Sequence, residues 1–529
     1  MGLHAGHILG IHAHKEGLHD VIAHRARVCR IVHVGMALHD LIPKTVLDDT
    51  DLLASLAADA TDFAIAQGIL MRTGNIPHNP QVVTFLPFML FPSPVPRVLF
   101  EQALAIQTDF NLMVDLVSQH HRFLERCLRG VACADDFTAR MYNLYEELQA
   151  EGISKPVVLG INRSDYMLDK EVTEDHQESF MLRQVELNTI AAGLGGMASK
   201  IPHLHRRTLH AAGLHQLVSL MPDNNPVSAI ADAVACAWNL FNNPEAVVLV
   251  VCETIERNVF DQHCLEYILQ ERCIPVHRRT FHEIDQQAKL DEDDKLYLNG
   301  NEVAVVYFRT GYAPNQYDDT AWRVRRILER SRASCCPDIG TQLAGTKKVQ
   351  QELASSDALI SSLGFSATTA ARLQQTFTTM CSLDEGDEGD KVVQKALANP
   401  SEYVLKPQRE GGGNNLYDED IVQFFGSNER GVERTDRAGF ILMHRLQPPP
   451  IWNVPMRPST IPHPELCVSE LGVFGAYVRC GTDMIFNSCC GHLLRSKNAR
   501  CNDGGLMTGE AMLDSPCLVE EPTKTRTQA

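Results

Sequence analysis

The amino-acid sequence predicts an α/β (α+β) fold, and three patterns along the chain support that prediction. Apolar residues recur at helical spacing from Leu52 to Thr73 and from Pro96 to Arg129, which indicates a helical N-terminal packing region. Strand-like and helix-like segments alternate between about 245 and 346, as they do in parallel α/β units. After about residue 400, further apolar segments predict an antiparallel layer.

Composition narrows the class of protein and of partner. The chain has 529 residues, 44% hydrophobic and 22% charged, which is typical of a globular protein with about two to four domains. Its formal net charge of −18 argues against a nucleic-acid partner, because phosphate binding needs a basic face. Prolines interrupt the apolar region 82–100, so we expect no membrane-spanning helix there.

Cysteine usage indicates a reducing compartment. The 16 cysteines include no CxxC spacing but two adjacent pairs, Cys335–Cys336 and Cys489–Cys490. This pattern suits neither a zinc site nor a disulfide framework, so we expect reduced thiols and a cytoplasmic protein.

The first 45 residues differ from the rest of the chain because they contain eight of its 22 histidines. A metal-binding tract is one interpretation, although the spacing is irregular and no carboxylate or thiol cluster accompanies it. A targeting segment is another, although Glu16 and Asp20 interrupt a stretch that transit peptides keep poor in acids. We expect a disordered extension over 1–45.

Individual elements follow from local patterns. PVVLGIN at 156–162 and RQVELNTI at 183–190 predict short buried strands. The polar run at 384–392 predicts an exposed linker. Three later segments, VLKP, GFILMHRL and CVSELGVFGAYVRCG, predict the antiparallel layer that carries a glycine-rich loop.

That glycine-rich loop, within VLKPQREGGGNNLY at 404–417, predicts a polyphosphate site. Gly411, Gly412 and Gly413 permit a close backbone approach, so that N–H groups can point at phosphate oxygens. Lys406 adds a positive charge, and Glu410 is an oxygen ligand of the kind that Mg²⁺ prefers. The chain contains neither GxxxxGK[ST] nor GxGxxG after a strand, so neither a P-loop NTPase nor a Rossmann dehydrogenase is favoured.

Other polar residues fit the same chemistry. Glu186 and Asn188 are two positions apart on a predicted strand, so both side chains leave one face and, with Glu410, supply three oxygen ligands for magnesium. Lys347 begins a predicted helix whose N–H groups favour phosphate. Arg163, Arg309 and Arg495, with Lys497, occur in contexts that look like strand ends or loops, where arginine clamps carboxylates.

Eight motifs together resemble a known family. NRSDYM, VELNTI, ERNVFDQ, AVVYFRTGY, CPDIGTQLAGTKKVQQEL, VLKPQREGGGNNLY, SELGVFG and GHLLRSK are similar to those of eukaryotic-type glutathione synthetases, which are ATP-grasp ligases. The likeness runs from about residue 46 to about 520. It implies an ATP-grasp fold with an inserted parallel α/β substrate-binding domain. It also implies four segments: the extension 1–45, ligase body over 46–245, the substrate-binding domain 246–346, and ligase body with the glycine-rich lid over 347–529.

The resemblance implies a reaction and its partners. The expected reaction joins γ-glutamylcysteine to glycine with ATP as co-substrate, two magnesium ions in each active site and a homodimeric enzyme. An acyl phosphate must form first, because a free carboxylate does not react with an amine in water. Magnesium and lysine neutralise the charge of phosphoryl transfer, and closure of the lid excludes water.

Site residues carry over position by position. The resemblance implies that Arg163, Lys406 and Arg495 are catalytic and that Glu186, Asn188 and Glu410 hold magnesium. Residues implied to bind ATP are Glu186, Lys347, Lys406, Gln408, Gly411, Gly412, Gly413, Asn414, Asn415, Tyr417, Met443, His444, Arg445, Leu446, Glu470, Lys497 and Asp503. Residues implied to bind the peptide or product are Arg163, Ile190, Ala191, Ala192, Gly193, Glu256, Arg257, Asn258, Gln262, Arg309, Thr310, Gly311, Tyr312, Arg495, Leu506 and Met507.

The chain departs from the family pattern at three places. Ala191 and Gly193 stand where relatives commonly have serines, so two hydroxyls are missing. Leu506 and Met507 are bulkier than the small residues usual near the acceptor amino acid. His444 and Arg445 replace the usual acidic-basic pair beside the adenine. Two alternatives therefore stay open: the same chemistry with another acceptor amino acid, and a nucleotide-binding paralogue that does not ligate.

Overall fold

The computed structural model describes residues 41–520, apart from 75, 77, 173–177, 411–412, 427–433, 503 and 507–508. Most of the histidine-rich segment thus lies outside the described residues. Leu41 and Ile42 are already buried in the main core, so the packed chain begins earlier than the expected boundary at residue 46.

Helices occupy much of the N-terminal half. The α-helices, in chain order, are α1 (Lys44–Leu47), α2 (Thr50–Ala66), α3 (Arg97–Gln119), α4 (His121–Ala134), α5 (Asp136–Ala150), α6 (Gly195–Ala198), α7 (Ile201–Ala211), α8 (His215–Val218), α9 (Pro226–Phe241), α10 (Val259–Glu271), α11 (Phe281–Gln287), α12 (Asp319–Arg330), α13 (Ile339–Ala344), α14 (Lys347–Leu353), α15 (Ala367–Thr376), α16 (Asp387–Ala398), α17 (Asp418–Gly426) and α18 (Arg434–Arg437). Other helical turns are Pro314–Gln316, Ala358–Ser362 and Pro400–Glu402. No helix in the described part of the chain is both long and apolar enough to cross a bilayer.

Strands form three larger sheets and two pairs. They are β1 (Leu70–Arg72), β2 (Val83–Phe85), β3 (Phe88–Met89), β4 (Ser93–Pro96), β5 (Val157–Val172), β6 (Glu178–Asn188), β7 (Val247–Val251), β8 (Val276–Arg279), β9 (Ala288–Leu290), β10 (Leu296–Leu298), β11 (Asn301–Phe308), β12 (Ser334–Cys336), β13 (Met380–Ser382), β14 (Tyr403–Pro407), β15 (Leu416–Tyr417), β16 (Phe440–His444), β17 (Ile451–Asn453), β18 (Pro455–Met456), β19 (Glu465–Cys480), β20 (Asp483–Asn498), β21 (Ala511–Asp514) and β22 (Pro516–Val519).

The largest sheet has eight strands in the order β18-β3-β21-β20-β19-β5-β6, with β17 paired to β19. Its long strands β5, β6, β19 and β20 are antiparallel neighbours. The strands expected to be short at 156–162 and 183–190 are therefore longer than predicted, because cross-strand pairing continues beyond the apolar runs. Helices α3 and α9 pack against this sheet and bury its apolar side chains.

The alternating segments form the expected parallel unit. Strands β8, β7, β11 and β12 pair in parallel, and β10 and β9 extend the sheet with antiparallel pairing. Strand β7 is buried along its whole length, as a strand covered on both faces must be. The fold class predicted from the sequence is confirmed, whereas the domain boundaries stay a prediction.

The third sheet has four strands in the order β13-β16-β14-β15 and carries the glycine-rich loop between β14 and β15. Two expectations were wrong here. The segment CVSELGVFGAYVRCG forms β19 of the eight-stranded sheet and not part of this layer. The expected linker at 384–392 contains the start of α16, because Val392, Val393 and Ala396 pack against Leu405 and Leu442 in a small core.

Candidate active site

A cavity of about 720 Å³ collects the charged residues that the sequence singled out. Its walls come from all three larger sheets: Glu186 lies on β6, Lys406 on β14, and Arg309 directly follows β11. The site therefore exists only when segments distant in sequence are packed together.

One end of the cavity contains a carboxylate–lysine cluster, which consists of Glu186, Lys347, Lys406 and Glu410. The Nζ atom of Lys347 lies 3.2 Å from a Glu186 oxygen and 3.4 Å from a Glu410 oxygen. Lys347 is the first residue of α14, and its side chain is only 3% exposed. Lys406 donates from Nζ to the carbonyl oxygen of Val185 at 2.9 Å. Strand β14 and helix α14 thus place two ammonium groups next to the carboxylates of Glu186 on β6 and Glu410 in the glycine-rich loop.

Burial and mutual charge shift the pKa values of this cluster. Burial raises the pKa of Glu410 to about 7, although Lys347 acts against that shift. Burial lowers the pKa of Lys406 to about 8, although Glu186 opposes it. Burial alone would raise the pKa of Glu186, but the charges of Lys347 and Lys406 outweigh it and that pKa is lowered. Burial alone would lower the pKa of Lys347, but the carboxylates of Glu410 and Glu186 outweigh it and that pKa is raised.

The donor set of this cluster fits a hard divalent cation. Glu186 and Glu410 approach the same ammonium group, and Asn188 is hydrogen-bonded to Glu186 at 3.2 Å. The amide nitrogen of Asn188 also donates to Asp165 at 3.0 Å, which leaves its amide oxygen as the atom available to a cation. Carboxylate and amide oxygens are the ligands that Mg²⁺ prefers. No group of three His, Cys, Asp or Glu side chains suited to a metal occurs among the described residues, and this cluster offers two carboxylates and one amide.

An arginine cluster lies beside these residues and consists of Arg163, Asp165, Glu470 and Arg495. Asp165 accepts from Nε and Nη2 of Arg163 at 2.6 and 2.8 Å, and from Arg495 at 3.2 Å. Arg495 also pairs with Glu470, its cross-strand neighbour. The expectation that Arg163 and Arg495 lie at strand ends or in loops was wrong. Both arginines lie inside long strands. The antiparallel register of these strands brings them together, and neither residue lies at a strand end.

Gly472 makes room for this arginine cluster. It lies opposite Asp165 on β19, and a Cβ atom there would approach Oδ1 of Asp165 to 2.7 Å and Cδ of Arg163 to 2.9 Å. Any larger residue would push the Asp165–Arg163 pair out of its position. Packing against Asp165 and Arg163 therefore explains why a glycine occurs inside this strand.

The loop after β6 forms the next part of the wall. Ala191 and Leu194 have φ values of 51° and 76°, a left-handed conformation that costs non-glycine residues about 1–3 kcal/mol. The buried carboxylate of Asp261 offsets that strain by accepting from the backbone N–H groups of Leu194, Gly196 and Met197 at 2.7, 2.9 and 3.2 Å. The carbonyl of Gly193 accepts from Arg163 at 3.2 Å.

Arg309 faces this loop from the parallel unit. Its side chain is buried, and its Nε atom has no hydrogen-bond partner among the described residues. A Cβ atom on Gly193 would lie 2.6 Å from Nη2 of Arg309, so the guanidinium lies directly against that glycine. A buried guanidinium with an unsatisfied donor in a cavity wall has the chemistry to pair with an anion.

Hydrogen bonds orient the other polar residues of the parallel unit. Gln262 donates to Glu256 at 2.8 Å and accepts from Arg278 at 2.7 Å. The side-chain oxygen of Gln316 accepts from the backbone N–H groups of Gly311, Tyr312 and Ala313, at 3.0, 2.9 and 3.0 Å. The loop that carries Tyr312 into the cavity is therefore fixed by one glutamine side chain.

The opposite end of the cavity is formed by strand ends. Met443 and His444 end β16, and Arg445 pairs with Asp418 at 3.0 Å. The ring of Tyr417 lies near the Arg445 guanidinium, 5.6 Å from centroid to Cζ. Lys497 donates to the carbonyl of Asn502 at 2.6 Å. The apolar side chain of Met443 and the aromatic ring of Tyr417 in this part of the cavity wall suit a flat ring.

Comparison with known proteins identifies the family. The family model described as "Eukaryotic glutathione synthase, ATP binding domain" matches residues 50–518. The chain belongs to the eukaryotic glutathione synthase family. It is 46% identical over 472 residues to the glutathione synthetases of Mus musculus and Homo sapiens, covering 89% of this chain and 98% of each relative. It is 37% identical to the chloroplastic glutathione synthetase of Solanum lycopersicum, covering 89% of this chain and 85% of that protein.

A solved structure has the same fold as this member of the glutathione synthase family. A glutathione synthetase-like effector (GSS30) from Globodera pallida, in its apo form, superimposes with a TM-score of 0.71 at 25% identity, covering 90% of this chain and 99% of that one. The resemblance inferred from the eight motifs is confirmed, and so are the ATP-grasp fold and the ligase class.

Most of the site residues that the sequence predicted do line the cavity of this member of the glutathione synthase family. They are Arg163, Glu186, Asn188, Ile190, Ala191, Ala192, Gly193, Glu256, Arg257, Asn258, Gln262, Arg309, Tyr312, Lys406, Glu410, Asn415, Tyr417, Met443, His444, Arg445, Leu446, Glu470, Arg495, Lys497 and Leu506. Lys347 reaches it through contacts with Glu186 and Glu410, whereas Gln408, Thr310, Gly311, Gly413 and Asn414 are not among the lining residues. Gly411, Gly412, Asp503 and Met507 lie outside the described residues.

Sequence reasoning missed several residues that organise this site. Asp165 joins both arginines, Asp261 holds the loop after β6, and Gln316 holds the loop that carries Tyr312. The signal for Asp165 was present, because it lies two positions after Arg163 and therefore on the same strand face. Asp261 and Gln316 had no local signal, since their partners are backbone groups.

Proposed function

We propose that this chain joins γ-glutamylcysteine to glycine and uses ATP to form glutathione, ADP and phosphate. Family membership supports ATP-dependent glutathione synthesis. The observation that carries the detailed proposal is the pairing, within one cavity, of the carboxylate–lysine cluster with the arginine cluster. The first suits nucleotide phosphates and a divalent cation, and the second suits a peptide carboxylate.

The reaction we propose has two balanced steps. An oxygen of the cysteinyl carboxylate attacks the γ-phosphorus of ATP, the bond to the bridging oxygen breaks, and ADP leaves with that electron pair. The glycine amine then attacks the acyl carbon of the acyl phosphate, phosphate leaves with the C–O electron pair, and the amine proton passes to solvent. Lys347 and Lys406 neutralise the charge that develops on the phosphoryl oxygens. Arg163 and Arg495 orient the carboxylate and stabilise the oxyanion that forms at its carbon.

The magnesium proposal rests on the oxygen donors already described. Glu186, Asn188 and Glu410 would hold the ion or ions, which when bound supply charge neutralisation to the ATP phosphates. Lys347 contacts both carboxylates. It would hold the two acids in position before a nucleotide arrives.

Removing divalent cations tests that part of the proposal. Excess EDTA is expected to stop ADP release, and added Mg²⁺ is expected to restore it in full, because carboxylates facing phosphates repel them unless a cation lies between. Equilibrium binding of a fluorescent ATP analogue, measured with and without Mg²⁺, provides a second readout. Unchanged turnover and binding in EDTA would show that the three oxygen ligands have another role.

Binding of the peptide is proposed on the part of the wall formed by Arg163, the loop after β6 and the parallel unit. Arg309 and Arg163 are positioned to meet its carboxylates, and Tyr312, Asn258 and Gln262 its polar groups. The four-stranded sheet that carries the glycine-rich loop is called the lid sheet here. The nucleotide is proposed to bind against this sheet along Met443–Leu446, with Gln408, Tyr417, Glu470 and Lys497 around it. We also propose a homodimer and a cytoplasmic location. Every cysteine in the described part of the chain is a free thiol, which supports a reducing compartment.

One assay tests the proposed function against its alternatives. ADP release is measured with ATP and γ-glutamylcysteine, with glycine present, omitted, or replaced by alanine, serine or β-alanine. We expect release only with the peptide and the strongest release with glycine. Leu506 is buried and lines the cavity, so preference for another acceptor would assign the same chemistry to a different amino acid. ATP binding without ADP release for any acceptor would instead indicate a nucleotide-binding paralogue.

Gly193→Ser tests the contact between this glycine and Arg309. The change restores a hydroxyl that relatives commonly carry, but its Cβ would lie 2.6 Å from Nη2 of Arg309 and would displace that guanidinium. We expect the KM for γ-glutamylcysteine to rise about threefold with kcat and melting temperature nearly unchanged, because the end of an arginine side chain moves at small cost. Gly130→Ala, at an exposed position of α4 where a Cβ atom would meet nothing within 4 Å, is a control for the effect of a side chain on a glycine. A fall in KM for the serine variant would show that the hydroxyl matters more than the position of Arg309.

A further inference from the structure

We infer that Asp135, in the helical N-terminal region, is a positioning residue for the glycine-rich loop. Its carboxylate forms an ion pair with Arg409, the residue immediately before Glu410. The inference rests on the proposed function, because it assigns Asp135 a part in placing Glu410 for nucleotide binding.

Three consecutive residues attach the start of the loop to the rest of the molecule. Gln408 accepts from the backbone N–H of Lys348 at 3.1 Å, and Glu410 accepts from Lys347 at 3.4 Å. Both partners belong to the first turn of α14. Between them, Arg409 points to a different element and pairs with Asp135. The loop is therefore held from two directions before its glycines begin.

Asp135 is itself rigidly held. It is the N-cap residue of α5, and its Oδ1 atom accepts from the backbone N–H of Thr138 at 2.8 Å. Its side chain is 10% exposed and that of Arg409 is 26% exposed, so the pair is shielded from most of the solvent. Burial raises the pKa of Asp135, but Arg409 and Thr138 outweigh it and the net pKa is lowered. The carboxylate is thus charged at neutral pH.

The surrounding contacts place this support at the base of the lid sheet. Ala134, the last residue of α4, lies beside Gly439, because a Cβ atom on that glycine would be 3.6 Å from the Cβ of Ala134. The backbone N–H of Gln408 in turn donates to the carbonyl of Gly439 at 3.3 Å. The α4–α5 junction therefore contacts the neighbouring ends of β14 and β16. Residues 408–410, which lead into the glycines, therefore start from a base that helix packing supports.

Asp135→Asn separates the two roles of this side chain. Asparagine caps a helix as well as aspartate, so we expect the melting temperature to stay within about 2 °C of the unmodified protein. The ion pair with Arg409 is lost, and we expect kcat/KM for ATP to fall about tenfold, because the backbone that leads directly into Glu410 loses a support. The KM for γ-glutamylcysteine should not change, because neither Asp135 nor Arg409 contacts a residue proposed to bind the peptide. A general loss of structure would not produce that split.

Further variants test whether the pair acts as a unit. Arg409→Gln is expected to have the same effect on kcat/KM for ATP, and the double variant Asp135→Asn/Arg409→Gln is expected to be no worse than either. Arg409→Lys should recover part of the loss, because it keeps the charge but not the planar fork. Asp49→Asn is the matched control: Asp49 caps α2 in the same way, accepting from Leu52 at 2.9 Å, and should leave turnover unchanged.

Two results would overturn the inference. One is an Asp135→Asn protein that is folded and has the kcat/KM for ATP of the unmodified protein. The other is a double variant in which the two losses multiply, which would show that the residues act separately. Binding of a fluorescent ATP analogue is measured in parallel. If the unmodified protein binds ATP but does not ligate, the proposed function fails, whereas Asp135→Asn is still expected to weaken nucleotide binding about tenfold.

Discussion

Lys347→Met is expected to lower kcat about 10²–10³-fold, the loss that follows when one preorganised charge at a transition state is removed. Methionine has a similar length and fills the buried space, but it cannot neutralise a phosphoryl group in transfer. It also leaves Glu186 and Glu410 facing each other without the ammonium group that lies 3.2 Å and 3.4 Å from them. Single-turnover measurement of ADP formation at saturating ATP would isolate this step.

Lys348→Met is the matched control for that change. Lys348 is the next residue, is equally buried and pairs with Asp384 at 2.6 Å, but it does not contact the carboxylate–lysine cluster. We expect this variant to lose stability and keep most of its kcat. If both variants lost turnover equally at a temperature where both are folded, the assignment of Lys347 to phosphate chemistry would be wrong.

Arg309→Leu is expected to raise the KM for γ-glutamylcysteine about 100-fold, because two charge-assisted hydrogen bonds to a carboxylate are lost. The Nε atom of Arg309 has no hydrogen-bond partner among the described residues, whereas Tyr307, Asp261 and Glu256 lie near enough to stabilise its charge. The variant is therefore also expected to lose some stability, and it is assayed at a temperature where it is folded. Initial rates over a range of peptide concentrations at saturating ATP would measure the shift.

Arg323→Leu controls for the loss of an arginine in the same region. Arg323 is exposed and pairs with Asp285 at 2.8 Å away from the cavity, so its replacement should leave the KM for the peptide unchanged. An Arg309→Leu protein with an unaltered KM for the peptide but a raised KM for ATP would move Arg309 to the nucleotide side of the cavity.

Local patterns predicted much of the fold correctly. The segments AVVLVVCE, NVFDQHCLEYILQERC and IPVHRRT form β7, α10 and β8, as predicted. The prediction succeeded because apolar residues repeat with a different period in strands and in helices. The prediction of a linker at 384–392 was wrong, because the apolar residues that pack this helix begin only at Val392, near the end of the polar run. Strand lengths were also underestimated, since pairing extends strands through polar residues.

The sequence by itself determined the chemical inventory of this protein: the family, the glycine tract, the oxygen ligands and the lysines, because motifs record residue types and spacing. Only the tertiary structure decided which of these groups meet. The register of β5, β19 and β20 joins Arg163 to Arg495 through Asp165, and packing of α5 against the lid joins Asp135 to Arg409. The physical reason is that such contacts connect residues hundreds of positions apart, where no local period records their partners.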